Sequence, residues 1–293
     1  MVQGGTGRVV TGRVVAGRVL RTAVVGLAAL AGMAALTAGP RLAVHADETT
    51  SPQNPQQLLH DMLQHESLPH TDLYEYTSDE RSDRTGGHLW TERVVETGKG
   101  KIRRLLSEDG QPLSPERVAT ERRRLDAIAG DPAAFERAEA AQKNDEQHAR
   151  QMLDSLPRGF LLENVTLNNG VWRMDYRPNP DYSPSGIEEH VLHGMSGWLT
   201  IDAHDMRLLH IEGKLAQDVT MGLGLINIRA GSNFASDRAD QDGRWRTVMV
   251  HTDIRGHALI FKTISKSTDL TRRDFHYLES NLTIPEAVAL LEK

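Results

Sequence analysis

Residues 160–178 read FLLENVTLN-NG-VWRMDYRP, two alternating apolar and polar runs on either side of Asn169-Gly170. Asparagine followed by glycine supplies the positive-φ positions of a tight hairpin turn, so this stretch predicts two antiparallel strands. The same period of two recurs in both directions. Upstream, LYEYTSDE (73–80), GGHLWTERVVET (86–97) and KIRRLLSE (101–108) predict three strands, the last two joined at Gly98-Lys99-Gly100. Downstream, strands are predicted at 197–203, 206–216, 218–229, 244–252, 257–267 and 271–279, with turns at Asp202–Asp205, Asp242-Gly243 and Arg255-Gly256.

About eleven strands follow one another, with helices at the start, middle and end. Asn54-Pro55 opens a helix to near Glu66 with Leu58, Leu59, Met62 and Leu63 on one face. Ser114-Pro115-Glu116 combines a cap, a first-turn proline and an acid, and predicts a helix to about Ile128. Asp131-Pro132 repeats the signal for a longer helix to about Leu156, whose apolar stripe of Phe135, Ala138, Ala141, Ala149, Met152 and Leu153 is thin. A short helix with Ile187, Val191 and Leu192 ends at Gly194, and Pro285 opens a terminal one with Ala287, Leu290 and Leu291. Runs of strands broken by runs of helices predict an α+β fold built on an antiparallel sheet. A sheet that wide curls, and the amphipathic helices are the available covers for its concave face.

The amino terminus predicts export. Gly7–Arg21 is GRVVTGRVVAGRVLR, four arginines without an acid, followed by an apolar run from Ala23 to Ala38. Gly39-Pro40 breaks it, and Val44-His45-Ala46 offers a cleavage site before Asp47. The apolar run is shorter than the ~20 residues of a spanning helix, so residues 1–46 are expected to be a removed signal peptide, leaving no membrane anchor. Residues 47–293 then form one domain, with residues 114–156 as a helical insertion.

Removing five arginines from 34 basic residues leaves 29 against 40 acidic ones, a net of −11. Such a surface repels nucleic acid and anionic membranes. The chain has no cysteine, which excludes disulfides, thiol catalysis, cysteine-ligated metals and a lipid-modified amino terminus. The expected location is the periplasm, or the medium outside the cell.

No pattern points to catalysis. Among the 13 histidines, His190 and His193 follow Glu188-Glu189 in an order unlike the zinc-binding His-Glu-x-x-His; His60 and His65 are five apart, and His204 lies in a turn. Gly194-Met195-Ser196-Gly197 falls one residue short of a nucleophile elbow. Gly222-Leu223-Gly224-Leu225 has no helix after it, so no dinucleotide loop is expected. No catalytic residue, metal or cofactor is therefore assigned. In VTMGLGLINI (219–228), Val219, Met221, Leu223 and Leu225 share one strand face while Gly222 and Gly224 share the other. Paired glycines there admit a close approach or a sharp bend. Trp90, Trp172, Trp198 and Trp245 each fall in a different strand, as core or as the lining of an apolar cavity. The candidate lining residues are Trp90, Trp172, Trp198, Met221, Leu223, Trp245 and Phe261.

An amphipathic helix, a meander, a helical interlude and a further meander behind a signal peptide resemble the periplasmic lipoprotein carriers of the LolA type. Their relatives include lipoprotein-sorting-like proteins, a mycobacterial lipid-binding lipoprotein and an anti-sigma-factor regulator. LLSEDGQPLSPERVATERRRL (105–125) also resembles exported bacterial proteins of this architecture. The resemblance implies an incomplete barrel closed by helices, whose concave apolar surface accepts an acyl chain, a lipid or a lipoprotein. The polar helix at 131–156 departs from the carriers. A protein partner in the cell envelope is the alternative expectation.

Overall fold

The computed structural model describes residues 54–66, 72–140, 156–258 and 262–293. The expected signal peptide, most of the predicted 131–156 helix (residues 141–155) and Phe261 lie outside them. The fold is α+β, with one large antiparallel sheet that does not close into a barrel.

The strands are β1 (Leu73–Ser82), β2 (Leu89–Thr97), β3 (Gly100–Glu108), β4 (Gln111–Pro112), β5 (Phe160–Asn168), β6 (Val171–Pro178), β7 (Met195–Asp202) and β8 (Leu208–Leu215). They are followed by β9 (Val219–Met221), β10 (Ile226–Ile228), β11 (Asn233–Gln241), β12 (Arg244–Ala258) and β13 (Lys262–Leu278). Across the sheet they run β4-β3-β2-β1-β13-β12-β11-β8-β7-β6-β5, with β10 on the end of β12 and β9 on β10. The long β13 pairs with both β1 and β12, and so joins the first meander to the last.

Asn169 and Gly170 have φ of 50° and 75°, and the hairpin predicted there joins β5 to β6. Three strand assignments change. Residues 218–229 form not one strand but the hairpin β9–β10, because Gly222, Leu223 and Gly224 all adopt positive φ (61°, 57° and 86°). Residues 257–267 and 271–279 contribute to β12 and to the single strand β13, whose irregularity against β1 lies beside Asp274. The nine-residue run NFASDRADQ is the interior strand β11, which the apolar pattern does not reveal.

The helices are α1 (Pro55–Glu66), α2 (Pro115–Gly130), α3 (Ile187–His193) and α4 (Ile284–Leu291). Residues 132–140 are also helical, as the Asp131-Pro132 signal predicts. Ser114 caps α2 by accepting from the Arg117 N–H (3.2 Å), and Thr283 and Glu286 form a reciprocal capping box on α4.

Strand register assigns the helices to opposite sides of the sheet. Met174, Leu199, Ile211, Ser236, Val250, Leu270, Glu80, Tyr76 and Val94 lie directly across from, or in phase with, one another from β6 to β2, so they share one face. Leu58, Leu59 and Met62 of α1 and Val191 and Leu192 of α3 are buried on the β6–β8 part of that face. Val95, one residue out of phase with Val94, packs with Ile102, Leu125 of α2 and Ile284, Ala287, Val288 and Leu291 of α4 on the other.

Candidate functional site

The main core carries a partly open apolar cavity between α1, α3 and the sheet. Leu59 and Leu192 line it from the helices, joined by Leu156 and by Phe160 and Leu162 of β5. Tyr176, Leu199, Ile211 and Phe234 line it from β6, β7, β8 and β11. The space open to the centre of a water molecule is about 10 Å³, which is room for one water. Of α1, Leu59 lines the cavity, and Leu58 and Met62 are buried in the same core cluster.

Two glycines lie in the same strand row as the aromatic lining residues Tyr176 and Phe234. Tyr176, Gly197, Gly213 and Phe234 form one cross-strand row on β6, β7, β8 and β11. A Cβ on Gly213 would lie 2.6 Å from Phe234 Cε1, and one on Gly197 would run into the Glu212 carbonyl oxygen. The bare backbone lets the Tyr176 ring lie over β7, where its Oη donates to the Glu212 carbonyl at 2.8 Å. Burial pushes the Tyr176 phenol well above the usual tyrosine range, with the Glu212 charge adding to it, so it stays neutral and acts as a hydrogen-bonded apolar ring. Phe160 meets it edge to face, ring centroids 5.2 Å apart.

Helix α1 is fastened over this lining at both ends. At its start the Asn54 side chain accepts from the Gln56 N–H (3.0 Å), and Gln56 Nε2 donates to the Phe160 carbonyl (3.3 Å). At its end Glu66 pairs with Arg238 of β11, the side chains 4% and 3% exposed, and accepts from the Leu208 N–H at 3.2 Å. Arg207 donates to the His65 carbonyl, closing the last turn. Burial pulls the Arg207 guanidinium down, and Glu66 is the charge that most opposes this.

The sequence-derived lining residues are only partly gathered here. Trp172 is buried in the same core cluster, and Met221 packs against its edge. Trp198 faces the opposite side of the sheet, one residue out of phase with Leu199. It stacks on His210 (4.2 Å, 22°) under the Arg173 guanidinium, and its Nε1 donates to Glu212 at 2.5 Å. Trp90 lies at β2 between Arg84 and Arg117 and donates to Glu108 at 2.9 Å. Trp245 donates to Asp205 at 3.1 Å, and Leu223 is fully exposed at a hairpin tip. Tryptophan amphipathicity explains the outcome: three of the four indole N–H groups have found carboxylates at strand surfaces. The residues that do meet, Phe160, Tyr176 and Phe234, are smaller aromatics, and Gly197 and Gly213 were their available sequence signal as mid-strand glycines.

Two histidine–aspartate pairs lie on the opposite face, His210–Asp237 (2.5 Å) and His251–Asp269 (2.6 Å). Among the described residues no serine or threonine hydroxyl bonds to either imidazole. Asp202, His204 and Asp205 could offer three ligand atoms within 4.8 Å of one another to a metal. They lie in the β7–β8 turn, where Asp202 already accepts from the His204 and Asp205 N–H groups. No protein-family model matches this sequence, and comparisons with curated proteins and with solved structures find no match.

Proposed function

We propose that this chain is a non-catalytic binding or carrier protein for an acyl chain or another apolar ligand, with α1 as the movable cover of its site. The observation that carries the reading is the cavity lining, nine residues without an ionised group, roofed by a helix whose apolar face points into it. The cavity volume requires α1 to leave before a ligand enters. Burial of Leu58, Leu59 and Met62 stabilises the closed state by roughly 1.5–3 kcal/mol each. An acyl chain recovers about 0.8 kcal/mol per buried methylene, so about six to eleven methylenes offset the three side chains. Exchange of cover for ligand is therefore near balance, as a carrier that must also release its cargo requires.

The amino-terminal signal pattern supports a periplasmic site of action, and the net acidic surface supports a role apart from nucleic acid. Mass spectrometry of organic extracts from protein purified out of a periplasm is expected to find a stoichiometric lipid or fatty acid. An empty protein that also ignores fluorescent fatty acids overturns the proposal. A second reading, an envelope protein–protein module, is favoured by α2: Leu125 is its one buried residue and Val118 is 49% exposed. Crosslinking in cells to a single protein partner, without bound lipid, selects that reading.

A further inference from the structure

Leu223 is 105% exposed and Leu225 51% exposed, both in the turn between β9 and β10. Gly222, Leu223 and Gly224 hold φ of 61°, 57° and 86°, and the Leu225 N–H closes the turn on the Gly222 carbonyl at 3.1 Å. Glycine adopts this backbone freely, but leucine does so at a cost. The hairpin thus holds a strained residue in place and uses it to present an apolar side chain to solvent. Neither expense serves the fold, since Leu223 packs against nothing.

From Thr220 to Asn227 there is no ionisable residue. The nearest acid, Asp218, is turned toward the root of the hairpin, where it accepts from the Ala230 N–H (2.8 Å) and the Asn227 side chain (3.3 Å). Ile226 pairs with Ala258, the last described residue of β12, and Leu223 of the turn is fully exposed. At its base, Val219 presses on Gly194, the residue that ends α3, and α3 carries the cavity residue Leu192.

We propose that the β9–β10 tip, Met221–Leu225, inserts Leu223 and Leu225 into the interfacial region of a phospholipid bilayer. A side chain that projects this far needs a soft medium or a socket. The uncharged tip with its turn bond made internally suits a hydrocarbon boundary, where unpaired polar groups are costly. The acidic balance of the chain leaves insertion of apolar area as the source of affinity, so binding is expected to be insensitive to salt and no stronger on anionic vesicles. The inference rests on the carrier reading only for its purpose, since delivery of an apolar ligand requires contact with a membrane.

The test places an indole at the tip of the full chain by Leu223→Trp, with Leu225→Trp as a second reporter, and titrates phosphatidylcholine vesicles. Emission from the tip indole is expected to shift to the blue and to be quenched by brominated phosphatidylcholine, at low and high salt alike. Adding Leu225→Asp to the Leu223→Trp chain is expected to lower partitioning about tenfold to a hundredfold, the worth of one leucine side chain. Tip emission that is unchanged by vesicles in both reporters overturns the proposal. So does a response that appears only on anionic vesicles at low salt. Fatty-acid binding that survives while the tip stays in water rejects the membrane contact and leaves the carrier reading standing; the reverse result rejects the carrier reading alone.

Discussion

Replacing Glu66 with alanine is expected to release α1. The carboxylate is buried, pairs with Arg238, accepts the Leu208 N–H, and is the main charge opposing desolvation of Arg207. Its loss strands two arginines and one backbone donor where water does not reach them. Breaking one side of a buried pair costs about 3–5 kcal/mol, against about 0–1 kcal/mol for an exposed pair. The larger figure applies because both side chains are at least nine-tenths buried. Urea unfolding of Glu66→Ala should show the midpoint falling with the slope unchanged. The paired variant Glu66→Met with Arg238→Met removes both charges and should recover most of the loss. Hydrogen exchange should locate the effect, with amides of α1 losing protection before those of β7 and β8. A loss below about 1 kcal/mol would refute the reasoning, since it is the value of a solvated pair that holds nothing.

Further expectations follow from the glycine row, the cavity phenol and an exposed histidine. Gly197→Ala forces the Glu212 carbonyl to move and should destabilise by about 1–3 kcal/mol, read as a lowered urea midpoint; an unchanged midpoint means β7 and β8 are not this close. Tyr176→Phe removes one buried hydrogen bond and should cost about 0.5–1.5 kcal/mol without weakening acyl-chain binding, measured by calorimetry. His88 bonds to Asp109 at 2.6 Å, which raises its pKa above 6.5. The pair therefore adds stability below pH 6.5 that fades as pH rises through the folded value. An NMR titration of His88 should show a midpoint that falls in Asp109→Asn, and equal midpoints would contradict the bond.

The parts of the fold legible in the sequence are those where one strand face is apolar and the other polar. LYEYTSDE, KIRRLLSE and the Asn169-Gly170 hairpin are found where the period of two and the turn dipeptide place them. β11 escapes because its inward positions are Phe234, Ser236 and Arg238. Arg238 is an inward residue only through Glu66, which lies 172 positions away, and no local pattern carries that information. VTMGLGLINI alternates like a strand, but its backbone turns at the two glycines and takes Leu223 into the left-handed region with them. The cavity was legible as a property of the sheet and not as a set of residues. Its row depends on Gly197 and Gly213 being opposite each other, which is a matter of register between strands.

The central claim is that an apolar ligand takes the space α1 now covers. Phe160→Trp sets an indole in the cavity lining, and titration with a brominated twelve-carbon fatty acid, an acyl chain of about the length the balance above calls for, reads occupancy directly. The account predicts saturable quenching of that indole at one acid per chain, occurring faster in the Glu66→Ala background. Emission that stays constant through the titration, in a chain whose unfolding midpoint matches the parent, would contradict it.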